Sequence, residues 1–156
     1  MSERQLQLDD QLCFALYAAT NAVVRTYRPL LRRLGITYPQ YLTLMVLWQH
    51  GSQTVGELAH HLDLPGHALT PMVQRLERAG FVVRRPSTND GRAVLVELTP
   101  AGCELETAAA AVQRRVVCAT GLSPEGLAAL RNEVHKLVDD MRATAAGLQP
   151  MEGQAS

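Results

Sequence analysis

A chain of 156 residues has room for one domain, or for one domain with helical extensions. With two Phe and one Trp, the core falls to Leu, Val and Ala, which suits helices; a formal net charge of zero excludes a global pull towards nucleic acid or membrane but leaves room for a local basic stripe. Three dispersed cysteines exclude a secreted disulfide framework, no Cys/His spacing resembles a zinc site, no cofactor is implied, and neither a signal-peptide core nor a bilayer-spanning apolar run is present, so a reducing cytoplasm is the expected compartment.

Leu12, Ala15, Leu16, Ala19, Val23, Leu30, Leu31 and Leu34 recur at helical spacing and predict an amphipathic helix over 9–34. Asp9 or Asp10 is expected to cap its start and Gly35 to stop it. Pro29 is expected to kink or break it, because proline lacks a backbone donor. A second helix is predicted over 38–50, with Thr37 as N-cap, Pro39 in the first turn and Gly51 at the end. Thr54-Val55-Gly56-Glu57 has the spacing of a capping box and opens a short helix to Leu62. Asp63-Leu64-Pro65-Gly66 is turn chemistry, and a third short helix follows over 67–79 with Leu69, Met72, Val73 and Leu76 on one face. Two short helices joined by a tight turn make a helix-turn-helix.

Two β-branched runs, 81–85 and 92–98, flank a loop containing Asp90-Gly91 and predict a hairpin. Thr99-Pro100 restarts helix, which runs to about Ala119, and Ser123-Pro124 opens a last helix to about Ala146. The fold class that follows is mainly α with a small β-hairpin wing. A winged helix-turn-helix over 38–98 is flanked by helices 9–34 and 100–146, whose apolar stripes exceed what one small winged helix can cover, so these are expected to be dimerisation helices. Residues 147–156 read as a disordered tail.

Several segments carry a family resemblance. Tyr38-Pro39-Gln40-Tyr41, Thr54-Val55-Gly56-Glu57-Leu58, Leu69-Thr70-Pro71-Met72, Arg75-Leu76-Glu77 and Leu98-Thr99-Pro100-Ala101-Gly102 resemble the MarR family of bacterial winged-helix repressors, as a single MarR-type domain over 1–156. Gln11-Leu12-Cys13-Phe14-Ala15-Leu16-Tyr17, with Tyr27 and Tyr38, is similar to the organic hydroperoxide resistance branch of that family. The resemblance implies that Cys13 is oxidised by organic hydroperoxide to a sulfenic acid and that Tyr27 and Tyr38 hydrogen-bond it. It further implies that Cys118, from the partner subunit of a homodimer, resolves it as a disulfide that releases the operator.

The residues support part of this unaided. A thiolate is the nucleophile, and the start of a helix favours negative charge, while Asp9 and Asp10 oppose it. Cys13 and Tyr27 are fourteen residues apart, about 21 Å of helix rise, so they touch only if the chain folds back near Pro29 or if Tyr27 comes from a second chain. Cys13 also fits a small buried hydrophobe, Tyr38 a core tyrosine, and Cys118 and Cys103 packing residues.

For double-stranded DNA, the 67–79 helix offers Thr70, Gln74, Arg75 and Arg78 to base edges in the major groove. Arg84, Arg85 and Arg92 flank the hairpin and suit phosphates or the minor groove, with Asp90 beside Arg92 at the wing tip. The same charges also fit an ordinary solvated face. Pro65-Gly66-His67-Ala68 departs from the Asp-Ser-Gly-Thr-like entry usual in the family, so His67 stands as a substitute contact and operator preference is open. A two-fold dimer implies a pseudo-palindromic operator. Two other readings compete: a regulator of this family that senses a small aromatic acid between the dimer helices and the winged region, and a cysteine peroxidase. The second leaves the helix-turn-helix unexplained, so no enzyme is expected.

Overall fold

The computed structural model describes residues 6–89 and 91–145, which form two compact units meeting in sequence at Val116 and Val117. After a single 3-10 turn at Leu8–Asp10, the first unit carries α1 (Leu12–Arg32), α2 (Tyr38–His50), β1 (Gln53–Thr54), α3 (Val55–Leu62), α4 (Gly66–Arg78), β2 (Val82–Pro86) and β3 (Val94–Leu98). Helix α5 (Pro100–Ala119) begins in the first unit and ends in the second, which continues with α6 (Pro124–Ala145). The expected tail lies outside the described residues, as does Asp90.

The first unit is built on one apolar core. Leu31 of α1, Leu44 and Leu47 of α2, Leu58 of α3, Leu69, Val73 and Leu76 of α4, Val82 of β2 and Val96 of β3 are all essentially sealed from solvent. Each such leucine contributes about 2 kcal/mol of burial. The buried Thr43 hydroxyl donates to the Pro39 carbonyl at 3.0 Å and contacts Met72 Sδ at 2.9 Å, so it enters the core with its polarity satisfied.

Helix starts follow the sequence closely. Thr54 Oγ1 accepts from Glu57 N–H at 3.2 Å while Glu57 Oε2 accepts from Thr54 N–H at 2.7 Å, which is the expected capping box. Thr37 and Gln40 form a second box, with Gln40 Oε1 accepting from Thr37 N–H at 2.9 Å. At α5, Thr99 Oγ1 accepts from Gly102 N–H at 3.1 Å and donates to the Gly80 carbonyl at 2.6 Å. Gly102 is required there: a Cβ would stand 2.1 Å from the Phe81 carbonyl oxygen. The Gly102 carbonyl accepts from Trp48 Nε1–H at 2.9 Å, tying α5 to α2.

Two expectations are corrected, and the wing gains a strand. Asp9 and Asp10 sit in the 3-10 turn and do not cap α1; its N-cap is Gln11, with no side-chain cap bond. Pro29 does not break α1, which continues to Arg32. Only one hydrogen bond is lost there, and the anchoring of Leu31 in the core, with Leu30 and Leu34 packed against it, holds the last turn. The wing is a three-stranded antiparallel sheet ordered β1-β3-β2, because Gln53 and Thr54 pair with Val96 and Leu95. β2 and β3 form the predicted hairpin, from Val82 opposite Leu98 to Pro86 opposite Val94.

In the second unit, α6 has no buried residue and exposes Leu130, Val134 and Met141. Gly126 N–H bonds the Ser123 hydroxyl at 3.1 Å, so Ser123 caps α6. Among the described residues, no helix is long and apolar enough to cross a membrane.

Candidate sensor and nucleic-acid interface

Cys13 is the second residue of α1, within its first turn, and it is exposed. The first four N–H groups of the helix lack intrahelical acceptors, and their partial positive charge surrounds this position. Cys103 and Cys118 are also exposed free thiols, Cys118 being the penultimate residue of α5.

Tyr27 and Tyr38 are brought together. Their ring centroids lie 5.2 Å apart, and Tyr41 packs 5.3 Å from Tyr27 and 6.5 Å from Trp48. Burial pushes the Tyr27 phenol well above its usual range, and the neighbouring Tyr41 pushes it further. Burial likewise raises Tyr38, with a contribution from Tyr27, and raises Tyr41. All three therefore keep their protons at neutral pH, with the Tyr27 hydroxyl donating to Tyr41, and a protonated phenol can serve as a hydrogen-bond donor to an anion. Tyr41 was quoted in the motif but not assigned to the site. Its spacing of three from Tyr38 on one helix face was the available signal.

Cys13 is not near Tyr27 and Tyr38 of its own chain. Because α1 is one continuous helix, fourteen residues separate Cys13 from Tyr27 by about 21 Å of rise. The fold-back alternative is thereby removed.

On α4, Leu69, Val73 and Leu76 are buried, while His67, Thr70, Arg75 and Arg78 are exposed and Gln74 is half-buried. At 100° per residue, His67, Thr70, Gln74 and Arg78 share an arc of about 80° on the outer face. Pro65 is the N-cap and makes no side-chain cap bond. Arg75 stands to one side and lines a cleft of about 650 Å³ with Arg28, Arg32 and Tyr38. No described carboxylate pairs with any of these three arginines.

The wing arginines differ from one another. Arg84 Nε donates to Glu77 Oε2 at 2.8 Å, and Arg84 N–H donates to Glu77 Oε1 at 3.1 Å. Arg85 pairs with Glu97 at 3.1 Å across the hairpin. Arg92 and Arg84 line a cavity of about 300 Å³ with Thr54 and Thr70, between the wing and the two helices of the helix-turn-helix.

Comparison with known proteins gives a consistent set of relatives. The family model described as "MarR family" matches residues 36–94. The organic hydroperoxide resistance transcriptional regulator of Bacillus subtilis is 38% identical over 136 residues, covering 87% of this chain and 92% of that protein. The structure of reduced AbfR bound to DNA matches with a TM-score of 0.73 at 31% identity, over 90% of this chain and 99% of that one; AbfR is from Staphylococcus epidermidis. The disulfide-formed structure of AbfR matches with a TM-score of 0.58 at 30% identity, over 93% of this chain and 94% of that one.

Proposed function

This chain belongs to the MarR family of DNA-binding transcriptional regulators, and we propose that it is a homodimeric repressor that senses organic hydroperoxides through Cys13. The observation that supports the reading is the preassembled, protonated pair of Tyr27, far along α1, and Tyr38, at the start of α2, out of reach of its own chain's Cys13. In a two-fold dimer each phenol pair serves the Cys13 of the partner subunit. The 38% identity to a hydroperoxide resistance regulator supports the same assignment.

The Cys13 thiolate attacks the terminal oxygen of the hydroperoxide. An S–O bond forms, the O–O bond breaks, and the alkoxide leaves as alcohol after taking a proton. The product is a sulfenic acid. The phenol hydroxyls orient the thiolate and donate to developing negative charge. The Cys118 thiol of the partner then attacks the sulfenic sulfur, forming S–S and releasing water. A disulfide needs Cα atoms within about 7 Å, so from any wider starting separation its closure displaces the helices that carry the two thiols and, with them, the winged regions.

In the reduced dimer the two α4 helices enter successive major grooves of a pseudo-palindromic operator about one turn, or 34 Å, apart. His67, Thr70, Gln74 and Arg78 face base edges. Arg75, Arg85 and Arg92 flank the backbone and minor groove. The test is non-reducing electrophoresis of hydroperoxide-treated protein beside a DNA-binding titration. A dimer-sized band that is lost in Cys118→Ser, with DNA release lost in Cys13→Ser, is expected; Cys13→Ser protein that still releases DNA in hydroperoxide overturns the reading.

A second reading draws on the cleft of Arg28, Arg32 and Arg75. Three guanidiniums around one space favour an anion, and Tyr38 offers an aromatic wall, so a small aromatic acid fits. Release of DNA by such an acid from Cys13→Ser protein supports this second input.

A further inference from the structure

We propose that Arg84 is a positioning residue that sets the angle of the wing, with Glu77 of the recognition helix as its anchor, rather than a contact to DNA. The inference rests on the family's DNA-binding activity and changes the role that sequence alone assigns to Arg84.

Strand alternation separates the two adjacent arginines. Arg84 lies opposite Val96, two residues from Val82, and both valines are sealed in the core, so this face of the sheet looks towards the helices. Arg85 falls on the other face with Val83 and Glu97, and its ion pair with Glu97 runs across that outer surface. The Arg84 side chain therefore lies against the side of α4, at the exposed margin of that face.

There both oxygens of one carboxylate are used. Glu77 Oε2 takes the Arg84 guanidinium and Glu77 Oε1 takes the Arg84 backbone N–H. The second bond matters most, because it ties the helix to the path of the strand itself and not only to a long side chain. Glu77 is held below the usual carboxylate range by these bonds, so the contact keeps its charge through the physiological range. Glu77 sits one position before Arg78, which closes the outward arc of α4, and Arg84 sits one position before Arg85, which faces outwards. The pair thus couples the part that reads base edges to the part that grips the flanking backbone.

Removing Glu77 distinguishes this from simple electrostatics, because the signs are opposite. If Arg84 were a free phosphate contact, losing a nearby carboxylate would strengthen DNA binding. If the pair positions the wing, losing either partner weakens it. Titrations use a 30-base-pair duplex selected in vitro by the wild-type protein. Glu77→Ala and Arg84→Met are each expected to weaken binding about fivefold, the upper end of what an exposed ion pair holds. The double variant is expected to be no weaker than either alone. The slope of log affinity against log salt is expected to stay unchanged in Arg84→Met, whereas a lost phosphate contact lowers it by about 0.9. Hydroxyl-radical footprints are expected to lose wing protection at the flanks while keeping the central major-groove protection. Should Glu77→Ala fold poorly, Glu77→Gln keeps an oxygen for the strand N–H and still must weaken binding. Tighter binding by either Glu77 variant, or a reduced salt slope in Arg84→Met, overturns the proposal. Failure of the wild-type protein to select any duplex would instead remove the DNA-binding premise.

Discussion

Gly102→Ala tests whether the start of α5 is pinned as tightly as the geometry indicates. The new methyl would meet the Phe81 carbonyl oxygen at 2.1 Å and Leu98 Cδ2 at 3.2 Å. To reach even 3 Å, the helix start and strand-entry backbone must separate by about 1 Å. The Phe81 oxygen cannot turn aside, since it already accepts from Thr99 N–H at 3.0 Å. Overpacking against backbone belongs at the upper end of the usual range, about 3 kcal/mol. Displacing Gly102 also loosens the Trp48 indole bond, about 1 kcal/mol. Alanine returns about 1 kcal/mol through better helix propensity. The net destabilisation is about 3 kcal/mol, or a melting temperature lower by about 12 °C at about 4 °C per kcal/mol. Thermal and urea unfolding followed by circular dichroism give the size. Emission from Trp48, the one tryptophan of the chain, reports the local displacement. A change within 1 kcal/mol, with unshifted tryptophan emission, would refute the close-approach argument.

Other expectations follow from the caps and the phenols. Thr54→Ala removes half of the α3 capping box and should lower stability by about 1 kcal/mol, read as a shift in urea midpoint at constant slope. The buried phenols hold their protons more tightly folded than unfolded, so their contribution is complete below about pH 10 and is lost as pH climbs above that value. Urea midpoints at pH 8 and pH 10.5 should therefore diverge less in Tyr27→Phe than in wild type; equal divergence would place the alkaline sensitivity elsewhere. Tyr38→Phe should bind DNA normally but oxidise about tenfold more slowly with an organic hydroperoxide, as measured by loss of free Cys13 thiol. An unchanged rate would exclude Tyr38 as a donor to the sensor.

Much of the architecture was legible because local chemistry and tertiary packing agree. Thr37 and Gln40, Thr54 and Glu57, and Thr99 and Pro100 mark helix starts by mechanisms that act within a few residues. Strand β1 was not legible: two residues carry no periodicity, and Gln53 and Thr54 are extended because β3 offers them an edge. Pro29 misled for the opposite reason. Its local cost is real, but Leu31 is buried completely and the core outweighs one missing donor. At the sensor, Tyr27 and Tyr38 could be paired only through the family resemblance, since eleven residues and a turn separate them in sequence. The difference between Arg84 and Arg85 was available in principle, from their alternation with Val82, but the charge count treated them alike.

The unbroken course of α1 has a genetic consequence. On the two-chain sensor proposed above, each sensing unit draws its thiol from one subunit and its phenols from the other. A chain lacking Cys13 and a chain lacking Tyr27 are each defective alone. In a mixed dimer, one unit receives both losses and the other receives neither. Co-expression of the two defective alleles should therefore restore hydroperoxide response through intragenic complementation, which a sensor contained within one subunit could never show.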